Sequence, residues 1–206
     1  MKRTLLAIAA SVAALAAGAQ ATARSALTTA PGIVLPELSE STRLDMLDYY
    51  DSGMKKPIPD IFGTECVLDT LGNDKATIRF GEHKTLSIYV LPYGKKELIM
   101  TVETLNVPQA DSHIAFYSTK WEPIETKKFF AEPKLADWVG KLAGEKLVDI
   151  ENALPFILYQ ADYDPSTGTL RLTSVLDGYV ANENMPLAKE AVAKSLTYTW
   201  SGKRFK

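Results

Sequence analysis

From Thr64 to Ser118 the chain alternates apolar and polar residues with a period of two, and no other feature constrains its fold as much. Ala76, Ile78 and Phe80 alternate with Lys75, Thr77 and Arg79, and Leu86, Ile88 and Val90 follow. Leu98, Met100 and Val102 then alternate with Ile99, Thr101 and Glu103, and Ile114 and Phe116 close the series. Successive side chains on a strand point to opposite faces, so this pattern predicts strands rather than helices. Gly72-Asn73-Asp74, Gly81-Glu82-His83, Pro92-Tyr93-Gly94 and residues 108–112 separate them. Connections so short and so rich in turn formers pair neighbouring strands antiparallel, which predicts a meander with one wet face.

Helical signals flank this run. Ser39 or Ser41 supplies an N-cap, Leu44, Leu47 and Tyr50 recur every three residues, and Gly53 supplies a stop, which predicts a helix over Thr42–Ser52 with Asp45, Asp48 and Asp51 on its other face. Leu135, Trp138, Val139 and Leu142 stand at i, i+3, i+4 and i+7 behind Pro133, with Gly144 beyond the predicted end. A second β set spans 156–176 around the turn Asp164-Pro165-Ser166-Thr167-Gly168. Asn184 and Pro186 open a third helix with Leu187, Ala191 and Val192 inward, and Leu196, Tyr198 and Trp200 form a last strand. This order predicts an α+β fold: an antiparallel meander sheet, or two, with three short helices packed against it. Residues 41–206 read as a single α+β domain, with lobes 41–125 and 126–206 as the alternative partition. Residues 22–40, small and proline-containing, read as a flexible entry segment.

The N-terminus speaks to location. Lys2 and Arg3 precede an apolar, alanine-rich run from Leu5 to Ala17, and small residues surround Ala21 and Ala23. This is the layout of a secretory signal peptide over residues 1–21, cleaved near Ala21 or Ala23. The apolar run is shorter than a bilayer-spanning helix and no later segment approaches one, so no transmembrane anchor is expected. With no cysteine near the cleavage region, a lipoprotein is not expected either. The expected destination is periplasmic or secreted. An outer-membrane barrel is disfavoured by the short strands, the interrupting helices and the lack of aromatics recurring at strand ends.

The chain carries 23 Lys and Arg against 25 Asp and Glu, and loss of Lys2 and Arg3 makes it more acidic still. Such a balance lacks the overall basic character of a nucleic-acid binder, so no nucleic acid is expected as partner. Lys127-Lys128 and Lys203-Arg204 with Lys206 are short basic groups that read as solvated surface. Cys66 is the single cysteine, so no intrachain disulfide framework exists, and its apolar surroundings predict a small buried hydrophobe.

Motifs that carry chemistry are sparse. Only His83 and His113 are available as bases for a nucleophile, and there is no Gly-x-Ser-x-Gly elbow. Ser52-Gly53-Met54-Lys55 matches Ser-x-x-Lys, but Ser52 ends a predicted helix where that motif requires a serine opening one. No His-x-x-x-His or Cys-x-x-Cys pair suggests a metal, and the loop from Asp162 has Thr173 where a calcium site needs glutamate. Catalytic residues, metal and cofactor are therefore all predicted as none. Tyr117 and Trp121 are the candidate binding residues, read as aromatics on an exposed contact surface.

The segments Leu44-Asp45-Met46-Leu47-Asp48-Tyr49-Tyr50-Asp51-Ser52-Gly53-Met54 and Asp111-Ser112-His113-Ile114-Ala115-Phe116-Tyr117, with Trp121-Glu122-Pro123 and the Asp-Pro-Ser-Thr-Gly hairpin at 164–168, carry a family resemblance. Over most of its length the chain resembles the exported bacterial family catalogued as domain of unknown function 3256. That resemblance implies a periplasmic or surface protein of Gram-negative anaerobes and supplies no activity, cofactor or site residue. The leading expectation is a non-catalytic periplasmic or secreted binding or structural protein whose partner is an unknown protein or glycan of the cell envelope. The alternatives are a small-ligand carrier or hydrolase-type enzyme with a dispersed carboxylate/His site, and an inhibitor of an envelope enzyme.

Overall fold

The computed structural model describes residues 20–140, 143–154 and 156–206. Seven strands form an antiparallel meander in which spatial order equals chain order. They are β1 (Ile58–Pro59), β2 (Glu65–Leu71), β3 (Lys75–Phe80), β4 (Lys84–Tyr93), β5 (Lys96–Leu105), β6 (Asp111–Ser118) and β7 (Pro123–Ile124). A second antiparallel sheet places β9 (Thr169–Val175) between β8 (Leu158–Asp164) and β10 (Ser195–Thr199). Among the described residues five α-helices accompany them: α1 (Ala23–Thr29), α2 (Glu40–Asp51), α3 (Leu135–Val139), α4 (Ala143–Ala153) and α5 (Met185–Ala191). The α+β architecture with antiparallel sheets is the one read from the sequence, with α1 and α4 in addition to the three helices expected.

The large sheet is covered on both sides. On one face Ile78, Phe80, Leu86, Ile88 and Ile99 pack with Leu27, Leu35, Leu38, Met46, Leu47 and Trp121. On the other, Tyr89, Leu91, Met100, Ile114 and Phe116 pack with Phe129, Phe130, Trp138, Tyr163, Leu170, Leu172 and Phe205. Strand β4 is consequently buried at every position from Leu86 to Leu91, and the expected wet face survives only toward β2 and β3, where Arg79 is exposed. The three-stranded sheet lies across β4–β6, a long-range arrangement that no local periodicity encodes. A buried polar link joins the two sheets: the Ala161 amide donates to Ser112 Oγ at 2.9 Å, and that hydroxyl shares a 2.8 Å hydrogen bond with Thr104. The Tyr89 and Tyr163 rings also meet between the sheets, edge to face at 5.2 Å.

Three local expectations are corrected. Residues 22–40 are not a loose entry segment, because Thr22 and Ser25 form a reciprocal capping box at the start of α1, and Ala23, Ala26, Leu27, Leu35 and Leu38 are buried. The buried Arg43 guanidinium fastens this stretch by donating to the carbonyls of Leu38 (2.8 Å) and Thr28 (3.4 Å). Helix α2 is capped by Ser39, whose hydroxyl accepts from the Thr42 amide, so it starts two residues before the expected Thr42, and its buried face carries Arg43, Met46 and Leu47, leaving Leu44 exposed. The helix predicted from Leu135 to beyond Leu142 stops at Gly140, which adopts φ +55°, and Gly144 lies inside α4 rather than terminating anything. Leu142 lies outside the described residues. Glycine accommodates the left-handed turn there without a Cβ penalty, so the helix ends after Leu135, Trp138 and Val139.

Candidate functional site

The aromatic pair chosen from sequence is not an exposed surface. Trp121 is only 6% exposed and Tyr117 is half-buried, with their rings 5.2 Å apart. Trp121 occupies the β6–β7 turn with φ +63°, and this left-handed backbone turns the indole inward, where Nε1 donates to Thr29 Oγ1 of α1 at 3.4 Å. At Trp121 the expectation failed because alternation breaks down in a tight turn, where backbone sign rather than sequence parity sets side-chain direction, while Tyr117, within β6, faces the side of the sheet that Leu27 and its neighbours cover. Tyr89, Phe129 and Phe130 are likewise core residues, whereas Tyr93 remains 38% exposed.

The thiol and histidine chemistry is dispersed. His83 and His113 are both exposed, and Cys66 is fully buried in β2. Burial, reinforced by the nearby Asp60 and Glu37 carboxylates, pushes the Cys66 thiol up to about 12, opposite to the shift an activated nucleophile needs. Lys84, near Cys66, is engaged with Glu37 and Glu103 and lies over the Phe80 ring. Asp164, in the loop resembling a calcium site, accepts instead from the Ser166 amide and hydroxyl and from the Thr167 hydroxyl, as a hairpin turn requires. Among the described residues no three His, Cys, Asp or Glu side chains are grouped to hold a metal.

What the fold does gather is positive charge, at one end of the large sheet. The β4–β5 turn carries Lys95 and Lys96, and the β6–β7 turn carries Lys120. Between them lies a cleft of about 590 Å³ lined by these lysines with Tyr93, Ser118 and Thr119. The remaining basic groups arrive from distant parts of the chain. Phe129, directly after Lys127 and Lys128, packs its ring edge-on against Tyr93 at 5.5 Å. Trp200 donates from Nε1 to the Pro92 carbonyl at 2.8 Å, and the Phe205 amide donates to the Phe129 carbonyl at 2.8 Å. Those two anchors bring Lys203, Arg204 and Lys206 to the same end.

The segments 92–98, 118–128 and 199–206 thus hold eight of the 23 cations and only three of the 25 acids, Glu97, Glu122 and Glu125. All eight cations are exposed. Glu125 is engaged at 2.6 Å by Lys127, and that hydrogen bond lowers the glutamate's pKa and raises the lysine's. Turn geometry fixes the walls of the cleft. The Trp121 amide donates to the Ser118 carbonyl, the Ser118 amide to the Glu122 carbonyl, and the Lys120 amide to Ser118 Oγ. Trp121 therefore clamps the loop from beneath while Lys120 faces out. Sequence reading treated the C-terminal basic groups as solvated and did not single out Lys95, Lys96 or Lys120. The meander alone places Lys95, Lys96 and Lys120 together, whereas no local signal would have added the groups at 127–128 and 203–206, which arrive through one aromatic contact and two hydrogen bonds between residues far apart in the chain.

The profile of a family described as Protein of unknown function (DUF3256) matches residues 15–205. A solved structure described as a domain of an uncharacterized protein from Porphyromonas gingivalis W83 superimposes with a TM-score of 0.76 at 22% identity, covering 91% of this chain and 98% of that one. The likeness shows a shared fold. No curated protein matches the chain. Among the described residues no helix is long and apolar enough to cross a membrane.

Proposed function

This chain belongs to the DUF3256 family of proteins of unknown function, and on that premise we propose that it is an exported, non-catalytic protein of the cell envelope that binds another macromolecule. The observation that carries this reading is the separation of charge. An acidic chain that gathers eight exposed cations at one end of its sheet presents a face complementary to an anionic partner. Export is supported by the cationic, alanine-rich leader.

The leader boundary belongs to the same reading. Cleavage between Ala21 and Thr22 preserves the Thr22 hydroxyl that accepts from the Ser25 amide at 3.1 Å and the Ala23 amide that donates to the Asn73 carbonyl at 2.7 Å. Cleavage after Ala23 destroys both. On this reading the mature protein begins at Thr22 and retains α1, whose capping box and buried side chains support the earlier of the two boundaries.

The test is chemical cross-linking of a tagged copy in intact cells of the native host, with mass spectrometry of adducts from envelope and medium. The expected result is a mature N-terminus at Thr22 and reproducible adducts on peptides from 92–98, 118–128 or 199–206. Retention of the leader in the cytoplasm, or a clean monomer without adducts, refutes the proposal.

A further inference from the structure

Resting on the reading of the protein as an envelope binder, we infer that the cleft between the β4–β5 and β6–β7 turns holds an acidic polysaccharide. Three kinds of group meet there beside two carboxylates, Glu97 and Glu122, which the three lysines outnumber. Lys95, Lys96 and Lys120 provide ammonium donors for carboxylates spaced along a chain, and Thr119 provides a hydroxyl suited to sugar hydroxyls, whereas the Ser118 hydroxyl is spent within the turn on Glu122 and the Lys120 amide. Tyr93 is the third. Its ring is held edge-on by Phe129 at 5.5 Å yet remains 38% exposed, giving a fixed aromatic wall for the apolar side of a sugar ring.

A cleft of about 590 Å³ has the size of a small-ligand site. It is open rather than enclosed, as an occupant with continuing chain on both sides requires. The exposed basic segments 127–128 and 203–206 extend the positive surface beyond the cleft, so a long polyanion gains further contacts outside it.

A bilayer is a poorer fit. Stable binding to a lipid surface combines cations with apolar side chains that enter the interface. Apart from Tyr93, the large exposed apolar residues, among them Ile61, Phe62, Leu105 and Val107, lie elsewhere. Residues 61–62 and 105–107 adjoin the opposite strand ends, beside the N-terminus of β2 and the C-terminus of β5.

The test measures binding of alginate oligomers to the full protein by isothermal titration calorimetry at low and high salt. Neutral dextran and vesicles mixing phosphatidylglycerol with phosphatidylcholine serve as comparison ligands. Alginate is expected to bind, dextran not to bind, and added salt to weaken the interaction as screening shortens to about 3 Å at 1 M. The combined variant Lys95→Glu, Lys96→Glu, Lys120→Glu replaces three attractions by repulsions and is expected to bind about tenfold more weakly. Lys95→Gln, Lys96→Gln, Lys120→Gln should fall between, and both sets change exposed side chains, so melting curves should match the parent. Lys55→Glu, Lys56→Glu, Lys194→Glu, a charge-matched set outside the cleft, should leave alginate affinity unchanged.

Equal weakening by both reversal sets, unchanged binding in the cleft variants, or no alginate binding at low salt overturns the inference. Vesicle binding that requires these lysines without alginate binding overturns it in favour of a lipid surface. If alginate fails while cross-linking still yields adducts at this face, the polysaccharide is wrong and the binding role stands. If both fail, the functional proposal falls as well.

Discussion

Replacing Trp121 tests how the turn that carries Lys120 is built. The indole is 94% buried against the α1 side of the core, and its residue sits at φ +63°. Truncating a buried Trp to Ala costs about 3–5 kcal/mol through lost burial and the cavity left behind. A left-handed backbone adds a second term, since a residue with a Cβ pays roughly 1–2 kcal/mol there that glycine does not. On ordinary helix or strand backbone, glycine is less stable than alanine by about 0.5–1 kcal/mol. At position 121 the order should invert, with Trp121→Gly equal to Trp121→Ala or up to about 1 kcal/mol more stable. Urea unfolding followed by circular dichroism measures both, and each kilocalorie corresponds to roughly 2–4 °C in Tm for a chain of this size. A cost below about 1 kcal/mol for Trp121→Ala refutes the anchoring role. A glycine variant distinctly less stable than the alanine variant refutes the backbone argument.

Other expectations follow from buried groups. Ser112→Ala strands the buried Ala161 amide and should cost about 1–3 kcal/mol by urea titration, whereas Ser112→Thr should retain part of the link. Gly178 has φ +88°, and a Cβ there would lie 2.6 Å from Gln109 Cδ, so Gly178→Ala should lower Tm, with Gln109→Ala relieving the clash but not the backbone strain. Burial raises the Tyr163 hydroxyl to about 12 and also raises Tyr89, so the unfolded chain ionises first. Stability from these tyrosines is complete below about pH 10 and lost as pH climbs from there through 12, visible as a falling urea midpoint. Cys66 should resist maleimide in the native protein and react promptly in urea; rapid native labelling would contradict its burial.

The sequence by itself determined the elements whose signals are local. Alternation over 64–118 marked the meander because strand pairing with short turns needs only neighbouring segments, and Asp164 marked its hairpin because its carboxylate bonds only two and three residues ahead. A cap at Ser39 or Ser41 was legible for the same reason, and Ser39 is the one that fills it. Tertiary structure decided what lies on each face of that meander. The small sheet closes over β4–β6 and turns an expected wet face into core, and the segment 22–40 becomes ordered through buried side chains and Arg43 rather than through any periodicity of its own. The candidate site draws on both kinds. Its lysines occupy separate turns, and electrostatic fields add in space rather than along the chain. The meander brings Lys95, Lys96 and Lys120 to one end, and the anchors from Tyr93 to Phe129, Pro92 to Trp200 and Phe129 to Phe205 add the later basic groups to that surface.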